Sequence, residues 1–384
     1  MDNLSLDEMK RIAYEVVDSE KREFNIELNV FPITFVEYFK SYLSQKKFSL
    51  SRKVFMSFYP LISGGFNDSE TGDVVIFLTH LGAMERIEGK LFHLLNACYH
   101  EARHSQQFQS DEYSYYGFFQ TADYYIREAT FDLDYMLEHD SYLSEIDANL
   151  YGVRRAKEYL MERYPDLYKK YEEDITFLEK KYQYDLAMYD PSYTIDRYIA
   201  LRKVYDRLDR IGGGGNVILL GSYPDSFSDS FVFDIFLNDD NSFKKMSEIL
   251  NDRNFKKLDE RIVYAFFSSQ TFLNSVDISE LTEIETIWLK KSLEYANNLY
   301  EYQEKATEIA EKDEIIPSVQ ALDSKKSIFQ KISCIVGYYD RMLCRYLNIT
   351  RNEFGRRRHI DNVISYDDYL SSIDEEERTE GRKI

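Results

Sequence analysis

Turn-forming residues are scarce in this chain: 15 glycines and 6 prolines among 384 residues. Sandwiches and barrels of short strands need turn chemistry at short, regular intervals, so the shortage argues against them and for long helices. The three cysteines, Cys98, Cys334 and Cys344, are odd in number and far apart. They exclude a disulfide framework and fit reduced thiols in a cytosol. No window of about eighteen apolar residues occurs, so no transmembrane span is expected. The opening stretch, MDNLSLDEMKRIAYEVV, is charged and amphipathic instead of basic and then apolar, which argues against a secretory leader. The expected location is cytoplasmic. A cationic face is also lacking. The net charge is −20, and Arg356-Arg357-Arg358 is the one basic run, read either as solvated or as a contact for a phosphate or acidic partner. Nucleic acid is therefore a poor partner, and with no spanning segment no membrane partner is expected either.

What the chain does have is apolar bulk. Hydrophobic residues make up 44% and aromatics 16%, with 33 tyrosines, enough to build a core whose ring hydroxyls sit at helix edges. The length allows one large domain or two ordinary ones. LDEMKRIAYEVV has the 3–4 spacing of an amphipathic helix, and FVEYFKSYLSQK (35–46) repeats it. Between Lys53 and Thr79, KVFMSFYPLI and DVVIFLT are β-prone and flank the turn-like SGGFNDSETG, which predicts a small sheet of two or three strands. Helical texture resumes from about Glu85 to Gln109 and again from Gln120 to about Arg163, with a break expected near 139–141. Pro165 opens a charged helix, Pro191 ends it, and a further helix runs to about Ile211. Gly212–Gly215 marks a linker or loop; no GK[ST] follows it, so it is not a phosphate-binding loop. Beyond it lie the strand-like NVILLGSY and, from Ser242, mainly helices.

One segment carries chemistry. His100-Glu101-Ala102-Arg103-His104 is an H-E-x-x-H pattern. On a helix, positions four apart project from one face, so both imidazoles can reach a single ion. Glu101, one residue along, is placed to take a proton from a water that the metal has acidified. With 6 histidines in 384 residues, a random chain would show this pattern about one time in a hundred. A hydrolytic zinc centre needs a third protein ligand. Downstream, in YLSEIDANLYGVRR, Glu145 and Asn149 share a helix face. Glu145 could ligate the ion while Asn149 holds a ligand histidine from behind.

HEARH followed by EIDAN resembles the zincin metallopeptidases of the gluzincin type. In that group a downstream helix supplies the third ligand from an E-x-x-x-D or E-x-x-A-N pattern. The order of small strand, HExxH helix and E-x-x-A-N helix is similar to the ImmA/IrrE-like metallopeptidases, over roughly residues 50–160. The resemblance implies Zn2+ as cofactor, Glu145 as third ligand, Asn149 orienting a histidine, and a peptide or protein substrate. It also implies an edge strand lining the cleft. Val74–Phe77 is the candidate for that strand, with an ordinary core strand as the equal alternative.

Other residues stay open. His93, seven positions before His100, is either behind the metal site or simply packed. His80 could approach the cleft, and His139 has no metal-site spacing. Asp147 points to a different side of its helix from Glu145. The oxyanion donor could be any of several tyrosines between Tyr113 and Tyr151. Arg103 faces away from the metal and pairs with an acid; Gln106 and Gln107 carry no assigned chemistry.

The resulting expectation is an α+β, predominantly helical protein. Residues 1–211 form a zincin-like domain, 212–216 a glycine linker, 217–370 a mostly helical domain, and 371–384 a disordered tail. The expected activity is zinc-dependent peptide hydrolysis. The alternatives are an inactive zincin-fold protein and a helical regulatory scaffold.

Overall fold

The computed structural model describes residues 4–45, 64–68, 71–78, 90–109, 114–130, 142–210 and 231–315. These residues are mostly helical, with one three-stranded sheet. The expected α+β, predominantly helical class is what the chain adopts. Lys53–Ile62, His80, His139, Gly212–Gly215, the NVILLGSY stretch and the tail from 371 lie outside the described residues.

Helix α1 (Leu6–Phe24) begins at a reciprocal cap. The Ser5 hydroxyl accepts from the Glu8 amide, and the Glu8 side chain accepts from the Ser5 amide. The helix stops at Asn25, whose left-handed φ of 51° turns the chain out. Ser5→Ala is expected to destabilise the fold by about 1 kcal/mol, read from thermal melting. Strand β1 (Asn29–Ile33) follows, and Thr34 then caps a short helical turn, α2 (Phe35–Glu37). The predicted helix over 35–46 is mostly a π-turn, Tyr38–Tyr42, in which Tyr38 and Tyr42 stack at 5.7 Å.

The sheet has the order β1-β3-β2, with β2 at Gly65–Asp68 and β3 at Asp73–Phe77. β2 and β3 form an antiparallel hairpin, and β1 runs parallel to β3. Two expectations need correction. The stretch SGGFNDSETG, predicted as pure turn, contains β2. Val74–Phe77 is not an edge strand: β3 is the central strand, paired on both sides and buried at every position. Its apolar run is explained by having both faces covered. Val74 and Ile76 pack among helical side chains from Ile12, Val16 and Leu95, while Val75 and Phe77 face Tyr38, Tyr42 and Phe66.

Helices α3 (Lys90–Gln109) and α5 (Leu143–Arg163) are each other's main packing partners, and α1 lies along α3. Helix α4 (Ser114–Thr130) precedes α5, and α6 (Pro165–Met188) and α7 (Pro191–Arg210) each begin at a proline. Proline fits the first helical turn because it has no amide hydrogen to leave unsatisfied there.

The chain divides into two compact units. One takes Met1–Gly117 and Leu143–Leu186, the other Phe118–Tyr142 and Ala187–Asp313. Within the second unit, α7 packs with helices that follow it in sequence. Asp196 on α7 accepts from the Gln270 and Thr271 amides at the start of α11 (Gln270–Leu273), after α8 (Phe231–Phe236), α9 (Met246–Asn251) and α10 (Glu260–Phe267). The second unit's core is aromatic. Tyr198 stacks on Phe233 at 3.7 Å and Phe236 on Phe266 at 3.8 Å. Its last described element is the long helix α12 (Glu283–Lys312). Among the described residues no helix is long and apolar enough to cross a membrane.

Candidate metal centre

The HExxH residues lie in the C-terminal half of α3. Its opposite side, with Leu91, Leu95 and Cys98, is fixed in the core of the first unit. His100 and His104 therefore emerge one turn apart with little freedom. Their Nε2 atoms are 3.1 Å apart, and the rings stand nearly perpendicular, at 87°. His100, Glu101 and His104 form a group whose ligand atoms all lie within 4.8 Å of one another, a set that could hold a metal ion. Glu145, on the first turn of α5, also approaches both histidines. Its Oε2 lies 3.3 Å from His100 Nε2 and its Oε1 lies 3.4 Å from His104 Nε2. The side chains of His104 and Glu145 are 6% and 10% exposed and that of His100 is 15% exposed.

What allows α5 to come so near is Gly152, two turns beyond Glu145 on the same face. A Cβ there would stand 2.6 Å from Asn96 Oδ1, 2.9 Å from Asn96 O and 3.3 Å from the His100 nitrogen. On the other side of α3, β2 makes a second close approach. A Cβ at Gly65 would lie 3.1 Å from Glu101 Cγ and 2.7 Å from Val75 O. Asn67, two residues on, donates to the Glu101 carbonyl at 2.9 Å and to Ser105 Oγ at 2.6 Å. The element beside Glu101 is thus β2, not the strand that the sequence singled out.

Behind the histidines runs a buried polar chain. His104 Nδ1 meets Gln107 Oε1 at 2.9 Å. Gln107 Nε2 donates to the Ser144 carbonyl at 3.0 Å and to Asp147 Oδ2 at 2.8 Å. Asp147 also receives a two-pronged contact from Arg103, Nε at 2.7 Å and Nη2 at 3.2 Å. Arg103 Nη1 donates to Gln106 Oε1, and Gln106 Nε2 to Glu20 on α1. Glu20 is fully buried and also accepts from Arg155 and the Tyr151 hydroxyl. Burial alone disfavours a charged imidazole at His104, but the Glu145 carboxylate outweighs it and raises the pKa to about 9. A metal taken up at Nε2 would displace that proton.

The residues singled out from sequence fare differently. His100, Glu101, His104 and Glu145 are brought together. Asn149 is not part of the hydrogen-bonded set: among the described residues neither ligand histidine is bonded to it, and Gln107 occupies the Nδ1 side of His104. His93 lies on α3 with its ring edge-on to Phe92 at 6.0 Å. Tyr151 turns its hydroxyl to Glu20. Arg103 pairs with an acid as expected, and that acid is Asp147. Gln106 and Gln107, given no chemistry from sequence, are the links of the chain. The one signal for this in the sequence was Gln107 three residues after His104, a spacing at which helical side chains touch. No protein-family model, curated protein or solved structure matches this chain.

Proposed function

We propose that this protein is a zinc-dependent metallopeptidase, with His100, His104 and Glu145 as the zinc ligands and Glu101 as general base. One observation carries the reading: the Nε2 atoms of His100 and His104 stand 3.1 Å apart, and the Glu145 carboxylate straddles them, with Oε2 3.3 Å from the first and Oε1 3.4 Å from the second. Ligands on a tetrahedral zinc at its usual bond lengths are separated by about 3.3 Å. Two neutral imidazoles and one carboxylate are also the donor set that zinc favours while keeping a fourth position open. When bound there, the ion would polarise a scissile carbonyl and acidify a water. Glu101 would take that water's proton and return it to the departing amine. The odd, widely spaced cysteines support a cytoplasmic setting, with a peptide or protein as substrate.

A second reading has its own support. Glu101 lies within the same 4.8 Å group as the histidines and could serve as a fourth ligand, which closes the site and makes it structural in an inactive or regulatory protein. Metal analysis after expression with added zinc tests both readings against a coincidental motif. About one zinc per chain, removable by chelator with loss of peptide cleavage, is the expected result. A metal-free protein overturns the assignment, and bound zinc without cleavage favours the structural site.

A further inference from the structure

Gln107 is nearly fully buried, at 2% exposure, and its amide has one orientation consistent with its neighbours. The Ser144 carbonyl and the Asp147 carboxylate can only accept, so the amide NH2 must face them. Oε1 then faces His104 and accepts from its Nδ1–H, so in the neutral ring that binds a metal the lone pair is on Nε2, on the side of His100 and Glu145. The same side chain is bonded to the residue before Glu145 and, through Asp147, to the residue two after it. Asp147 is itself fixed by the Arg103 fork.

Resting on the zinc reading above, we propose that Gln107 is a positioning residue that aligns two ligands at once. It sets the tautomer and ring angle of His104, and it anchors the first turn of α5 that presents Glu145. Asp147 and Arg103 hold it in register. A glutamine three residues after the second histidine would then do the work that the sequence pattern assigns to Asn149.

Zinc affinity, measured by chelator competition at one pH alongside the melting of the metal-free proteins, tests this. Gln107→Met keeps the length of the side chain and removes the amide. It is expected to weaken zinc binding by about 10–100-fold, the usual effect of losing a ligand's outer partner. Gln107→Glu should also weaken binding, because it sets a carboxylate against Asp147 and the Ser144 carbonyl. Adding Asp147→Asn to it restores the charge count and a donor to the new carboxylate, so affinity should recover in part, the Ser144 carbonyl remaining opposed. A folded Gln107→Met protein that binds zinc within about twofold of wild type, with melting alone lowered, overturns the proposal and leaves Gln107 as a packing residue. Should Gln107→Met not fold, the swap decides: recovery supports alignment, and no recovery overturns it. If the wild-type chain binds no zinc, the metal assignment itself fails and this inference with it.

Discussion

Glu101→Gln is expected to leave about one zinc per chain in place and to lower peptide hydrolysis by about 10²–10⁴-fold, the range for removing a general base. The substitution is nearly isosteric, so the contacts around β2 should survive: the space left by Gly65 beside Glu101 Cγ and the Asn67 bond to the residue-101 carbonyl. What it removes is the ability to accept a proton. Because a base does not bind the ion, zinc content should not fall if Glu101 is one; a neutral amide is a much weaker zinc ligand than a carboxylate. If zinc affinity drops sharply instead, Glu101 is a ligand and the closed, structural reading gains. Digestion of a broad peptide library by each of the two proteins supplies the activity arm, since it samples many cleavage sequences at once. Cleavage by the Gln variant at the wild-type rate would remove Glu101 from the mechanism.

The second large effect concerns the third ligand and the glycine that lets it reach the site. Glu145→Ala should reduce zinc affinity by more than the ~10–100-fold expected for an outer partner, since a direct ligand is lost. Gly152→Val should arrive at the same result without touching a ligand. Its side chain would meet the Asn96 carbonyl and amide oxygen and crowd the His100 nitrogen, so α5 must move away from α3. Overpacking of this kind costs about 1–3 kcal/mol. It also withdraws Glu145, which sits on the same face two turns away. Lower melting together with lower zinc affinity is the expected pair of results; lower melting with unchanged affinity would show that Glu145 is not held by this helix contact.

Much of the local structure was legible because it is set by neighbours in sequence. The amphipathic spacing of α1, the helix opening at Pro165, the break before Pro191 and the i, i+4 pairing of His100 with His104 each depend on a few adjacent residues, and the fold carries them through unchanged. β1 was not legible. NVFPI contains Pro32, which disfavours a strand, yet among the described residues β1 lies at one edge of the sheet, where a missing amide hydrogen is tolerated. β2 was hidden by its glycine and polar residues, whose strand character comes only from pairing with β3. The central position of β3 was equally invisible, since an apolar run looks the same whether one edge is free or both are paired.

Sequence alone determined which residue types could make a metal centre and where two of them fall on one turn of helix. Whether Glu145, forty-one positions beyond His104, reaches them was decided by how closely α3 and α5 approach, and that depends on a missing Cβ at Gly152. The partner behind His104 was decided in the same way. Asn149 has the right spacing along its own helix, but Gln107 has the right position in space, because buried donors and acceptors from three helices had to be satisfied together.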